Sequence, residues 1–138
     1  MSGVAPVLVL ACGNPSRGDD AIGPVLAERL ERWLERSGTT GIEVLVDFQL
    51  GPEHALDLEG RKRVLFVDAE MGAGVPYRFA RLSPRGFPSP SSHAFAPEAV
   101  MGVAARVLGG GLPVAEVLAF YRRRDAGTRL AQAVADAA

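Results

Sequence analysis

Three apolar runs of strand length constrain this chain more than any other feature in it. Val7–Ala11 (VLVLA), Ile42–Val46 (IEVLV) and Arg63–Val67 (RVLFV) are rich in β-branched residues, and each gives way to glycine or to an acid. Near-continuous apolar runs of this kind belong to strands covered on both faces. Such strands need helices above and below them, and the intervening segments supply helical patterns. Ile22, Val25, Leu26, Leu30, Trp33 and Leu34 recur at helical spacing, with Glu28, Arg29, Glu31, Arg32, Glu35 and Arg36 on the opposite face, until Gly38 and Gly41 break the pattern. Pro24 has no N–H to give and is tolerated only in a first turn. The helix should therefore begin close to Ala21, which puts Asp19 or Asp20 at its N-cap.

The alternation continues to the end of the chain. Pro52–Leu58 reads as a short helix, Tyr77–Leu82 as a half-exposed or edge strand, and Pro97–Leu108 as a helix with Pro97 at N1 and glycines behind it. Glu116–Tyr121 reads as a last strand, with a helix as the alternative, and Thr128–Ala137 as a terminal helix. The expected fold class is therefore α/β: three α/β/α layers around a mostly parallel sheet, formed by residues 1–138 as a single domain.

Composition narrows the function classes. Apolar residues make up 48% and charged residues 22%, which suits an ordinary globular protein. A formal net charge of −1 gives no support to a nucleic-acid or membrane-surface partner. The single cysteine, Cys12, cannot form an intrachain disulfide and fits a reducing, cytoplasmic setting. The opening MSGVAPVLVLACGN lacks a basic leader and reads as a strand, not a signal peptide. No run approaches the roughly 18 apolar residues that a membrane helix needs. The Ser/Pro-rich stretch SPRGFPSPSSH, residues 83–93, reads as a long loop.

In open α/β sheets ligands bind outside the carboxyl ends of the strands. Here the first strand is followed by Asn14–Asp20, the second ends on Asp47 and the third on Asp68, so these groups should share one edge. Asp68 follows VLFV directly and precedes the small-residue stretch AEMGAG; a carboxylate there is costly unless paired, hydrogen-bonded or metal-bound, although an Asx-turn would also account for it. A helix cap needs one acid, so the pair Asp19–Asp20 suggests that one caps and the other faces the strand edge. His93 closes the Ser/Pro loop, where functional side chains concentrate. His54, between Glu53 and Asp57 on the short helix, reads instead as a solvated surface residue. Asp47 is either a supporting carboxylate or a turn former, and Cys12 a small buried residue. GNPSRGDDAIG is neither G-x-G-x-x-G nor a Walker A loop, so dinucleotide and P-loop readings fail on the motif itself. Asp20, Asp68 and His93 make a mixed oxygen and nitrogen ligand set, suited to a borderline cation such as zinc or nickel with positions left for water.

GNPSRGDDAIGP resembles the opening motif of the [NiFe]-hydrogenase maturation endopeptidases. VLFVDA, Val64 to Ala69, resembles the family's apolar strand ending in Asp-Ala, and SSHAFAPEAV its loop histidine before a long helix. Order and spacing agree along residues 6 to 108, and VDFQLGPEHALDL further resembles the branch that serves cytosolic NAD-linked hydrogenases. The resemblance implies a twisted sheet of about five strands between helices. It also implies an endopeptidase that removes the C-terminal extension of a hydrogenase large-subunit precursor after nickel insertion. Asp20, Asp68 and His93 would then contact nickel borne by the substrate, with Asp47 as a further site acid. The tail, EVLAFYRRRDAGTRLAQAV, departs from the family in lacking a Leu-Ser-Pro entry to its last helix. Two other readings stay open on the residues: a small hydrolase with its own metal acting on peptides or phosphoesters, and a non-catalytic module of hydrogenase assembly.

Overall fold

Each apolar run becomes a strand in the computed structural model, which describes residues 3–13, 22–71, 77–82, 96–109 and 111–122. The elements run β1 (Val7–Cys12), α1 (Ile22–Ser37), β2 (Ile42–Asp47), α2 (His54–Asp57), β3 (Arg63–Met71), β4 (Tyr77–Leu82), α3 (Pro97–Val107) and β5 (Val114–Arg122). The five strands form one sheet in the order β2-β1-β3-β5-β4. β1 pairs in parallel with β2 and β3, and β3 with β5; β4 closes the edge antiparallel to β5. This is the α/β fold class and mostly parallel sheet that the sequence pattern predicts, with Tyr77–Leu82 on the edge as its alternation implied.

Side-chain alternation divides the core into two layers. Leu8, Leu10 and Cys12 of β1 join Val64 and Phe66 of β3 and Ala115, Val117 and Ala119 of β5 under Val100, Met101 and Ala104 of α3 and Ala55 of α2. Val9, Ala11 and Val67 face the other way and meet Ile22 and Ala27 of α1. The helix ends follow local chemistry. At the end of α1, Gly38 takes φ +68°, its N–H bonds the Glu35 carbonyl, and the Thr39 N–H bonds that of Leu34. That is the paired arrangement of a Schellman cap. Pro97 opens α3 behind an extended Ala96, and Gly109 follows its end at φ +57°. Gly23 lets α1 lie directly on β1, because a Cβ there would run into the Cys12 carbonyl oxygen.

Two strands exceed the expected bounds. β3 continues from Asp68 to Met71, and β5 starts at Val114 and runs to Arg122. The two support each other rung by rung from Arg63↔Val114 to Met71↔Arg122, which no local pattern in either segment announces. α2 is shorter than expected, with Pro52 and Glu53 in the turn that precedes it. The expected helix Thr128–Ala137 lies outside the described residues.

Arg61 ties three elements together. It is 7% exposed; its Nε donates to the Asp57 carbonyl at 3.0 Å, one terminal nitrogen to the Ala5 carbonyl at 2.9 Å, and the other lies 2.7 Å from Glu43. A planar fork with this many donors suits three acceptors in three directions, and lysine does not. Arg61→Ala is expected to lower stability by about 1–3 kcal/mol, since two partly buried carbonyls lose their donors while half-exposed Glu43 can return to water. The midpoint of urea unfolding measures this, and Arg61→Lys should recover only part of the loss.

Candidate functional site

Strand order decides where a site can form. The chain leaves β1 for β2 on one side and later enters β3 on the other, so the carboxyl end of β1 is a topological switch point. The segment that begins at Gly13 starts there, with Asp19 and Asp20 further along it. Asp47 flanks this point from β2 and Asp68 from β3.

Register makes the placement specific. Cys12 pairs with Asp47, and Ala11 pairs with Val67, so Asp68 stands level with Cys12 one rung on. Asp47, Cys12 and Asp68 therefore form one row across three adjacent strands and share the face occupied by Leu8, Leu10, Val64 and Phe66. Two strand spacings put the two aspartate backbones on the order of 10 Å apart. The Gly13 N–H donates to the Asp47 carbonyl oxygen at 3.0 Å, which anchors the start of the segment after β1 to the end of β2. Asp68 is half-buried. It lies inside β3 instead of at its end, because β5 continues to pair with β3 after β1 has stopped.

Asp47 is held from two sides. Its Oδ1 accepts the Phe48 N–H at 2.7 Å, and its Oδ2 lies 3.1 Å from Nε2 of His54. The Asp47 side chain stays 53% exposed, whereas that of His54 is only 5% exposed. The surface expectation for His54 is therefore overturned. The turn at Gly51 and Pro52 folds α2 back over the end of β2, and His54, its first residue, points inward to Asp47. Polar neighbours in sequence concealed this, since the partner sits seven residues upstream. Beside Asp47, on the α1 side of the sheet, a cleft of about 180 Å³ is lined by Gly13, Pro24, Val46, Asp47 and Phe48. Phe48 at its rim is 69% exposed.

The structure thus brings Asp47 and Asp68 to one edge and one face. Asp19, Asp20 and His93 lie outside the described residues. Among the described residues no group of three His, Cys, Asp or Glu side chains is placed to hold a metal ion. Cys12 is buried in the core, as expected of a small apolar residue. Among the described residues, no helix is long and apolar enough to cross a membrane.

Several solved structures share this architecture. The [NiFe]-hydrogenase maturation protease HycI from Thermococcus kodakarensis KOD1 superposes with a TM-score of 0.62 at 20% identity, over 98% of this chain and 93% of its own. The hydrogenase maturating endopeptidase HybD from Escherichia coli gives 0.62 at 18% identity, over 95% and 88% of the two chains. The solution structure of another Escherichia coli endopeptidase gives 0.66 at 18%, over 95% and 86%. No family model matches the sequence, and no curated protein matches it. The chain has the fold of the hydrogenase maturation proteases along nearly its whole length.

Proposed function

We propose that this protein is an endopeptidase that removes the C-terminal extension from the large-subunit precursor of a [NiFe]-hydrogenase after nickel insertion. The observation that carries the reading is the row Asp47–Cys12–Asp68 at the switch point of a sheet shared with maturation proteases. The sequence motifs GNPSRGDDAIGP, VLFVDA and SSHAFAPEAV support the same assignment independently of the superposition.

In this reading Asp20, Asp68 and His93 contact nickel already held by the precursor. Two carboxylates and an imidazole suit a borderline divalent ion. Bound substrate nickel supplies a recognition element and Lewis acidity toward the scissile carbonyl or an attacking water. Asp68 presents its carboxylate from a strand paired along its length with β5, so the ligand sits on a rigid element. Asp47, on the same face as Asp68, is a further site acid in this reading. The setting is cytoplasmic, and neither nucleic acid nor a membrane is a partner. The branch serving NAD-linked hydrogenases is the substrate class favoured by VDFQLGPEHALDL.

Co-expression tests this in cells. A precursor expressed in a host lacking its own processing protease should migrate at mature size only when this protein is present. A precursor that stays full-length with the protein present and folded counts against the reading.

A further inference from the structure

We propose that His54 is a positioning residue for hydrolysis, orienting the Asp47 carboxylate toward the substrate side of the sheet edge. The inference rests on the reading of Asp47 as a site acid and adds the group that holds it.

His54 is 4% exposed, and a polar ring so buried is costly unless both nitrogens have partners. Nδ1 lies 2.9 Å from the Gly51 backbone nitrogen and 3.3 Å from the Gly51 carbonyl oxygen. An amide N–H can only donate, so Nδ1 is the acceptor and the ring hydrogen sits on Nε2. Nε2 then donates to Asp47 Oδ2 at 3.1 Å. With Phe48 N–H on Oδ1, each carboxylate oxygen has one protein donor, which fixes the plane of the group. A carboxylate accepts up to about four hydrogen bonds. Asp47 thus keeps capacity on its exposed side, where a water or substrate N–H would lie. A surface aspartate at a strand end needs no buried imidazole to make a turn, since the Phe48 N–H already closes it. The additional donor is what a positioned carboxylate requires.

Two isosteric substitutions separate this role from a purely structural one. Asparagine places an oxygen where Nδ1 stands and can keep the Gly51 contact, but it cannot reach Asp47. Glutamine places an N–H near the position of Nε2 and can keep the Asp47 contact. His54→Asn is expected to fold, with kcat for precursor cleavage lowered about 10–100-fold and KM little changed. His54→Gln should retain most activity. In an Asp47→Asn background, His54→Asn should add no further loss, because the two residues act as one unit. Nitrogen NMR of the wild-type imidazole supplies a readout without substrate: hydrogen on Nε2, with that nitrogen shifted by Asp47→Asn.

Wild-type activity in His54→Asn, equal losses in both His54 variants, multiplying losses in the double variant, or hydrogen on Nδ1 would each overturn the proposal. Cleavage by the wild type together with any of these removes only the role of His54. Absence of cleavage by the wild type removes the protease reading, and the role of His54 with it.

Discussion

Asp68→Ala protein is expected to leave a nickel-loaded large-subunit precursor unprocessed. Removing a residue that merely supports a metal ligand typically costs 10–100-fold, so loss of a direct contact should cost on the order of a hundredfold or more. Asp68 occupies the rung beyond Val67, where pairing with β1 has ended and only β5 continues to pair with β3. Its removal should therefore take one carboxylate from the edge, leaving Asp47 in place and the sheet intact. Asp68→Asn separates charge from shape: it keeps the volume and loses the anion, and it should fail nearly as completely. Initial cleavage rates, with circular dichroism and thermal unfolding of each variant, check this. Asp20→Ala and His93→Ala should fail in the same way, and full activity in all three alanine variants would sink the assignment.

Phe66→Ala should show the opposite signature. Phe66 is 1% exposed at the centre of β3, between Leu10 of β1 and Val117 of β5 in register, in the layer closed by Val100 and Met101 of α3. Truncating a buried phenylalanine costs about 3–5 kcal/mol, a large share of the roughly 5–15 kcal/mol that holds a domain together. For a chain of 138 residues the unfolding midpoint should fall by roughly 10–20 °C. Whatever remains folded at low temperature should still cleave, because the substitution lies two rungs below Asp68 on the same strand. A loss under about 1 kcal/mol would mean that this layer is not close-packed. Asp68→Ala should thus lose activity while keeping stability, and Phe66→Ala the reverse.

Local pattern carried most of the fold. VLVLA and IEVLV became β1 and β2 within a residue of their apolar limits. β1 is buried almost throughout, as a strand covered on both faces must be, whereas β2 lies at the sheet edge and is only partly buried, contrary to the expectation of a third buried strand. Pro24 and Gly38 bracketed α1, one by its missing N–H and the other by its positive φ. What local pattern could not carry was support from a distant partner. The apolar pattern of RVLFV stops at Asp68, but the backbone of β3 continues because β5, about fifty residues later, pairs with it. Asp47 and Asp68 were legible as edge acids, since both follow apolar runs and strand order brings their rungs together. His54 was not legible. Flanked by Glu53 and Asp57, it reads as solvated, and only the reversal at Gly51 and Pro52 turns its ring toward Asp47. The signal lay in GPEH, a tight turn followed at once by an imidazole, with an acid at the end of the preceding strand.

The proposed function makes two chemical demands: that this protein shortens a hydrogenase precursor, and that it distinguishes the nickel-loaded form from the empty one. Intact-mass spectrometry of a purified large-subunit precursor, before and after incubation with this protein, measures both halves together. The predicted result is a mass decrease equal to a C-terminal peptide in the nickel-loaded sample and no change in the nickel-free sample. An unchanged mass in both samples, with the two proteins shown to bind, would contradict the account and favour a non-catalytic role in assembly.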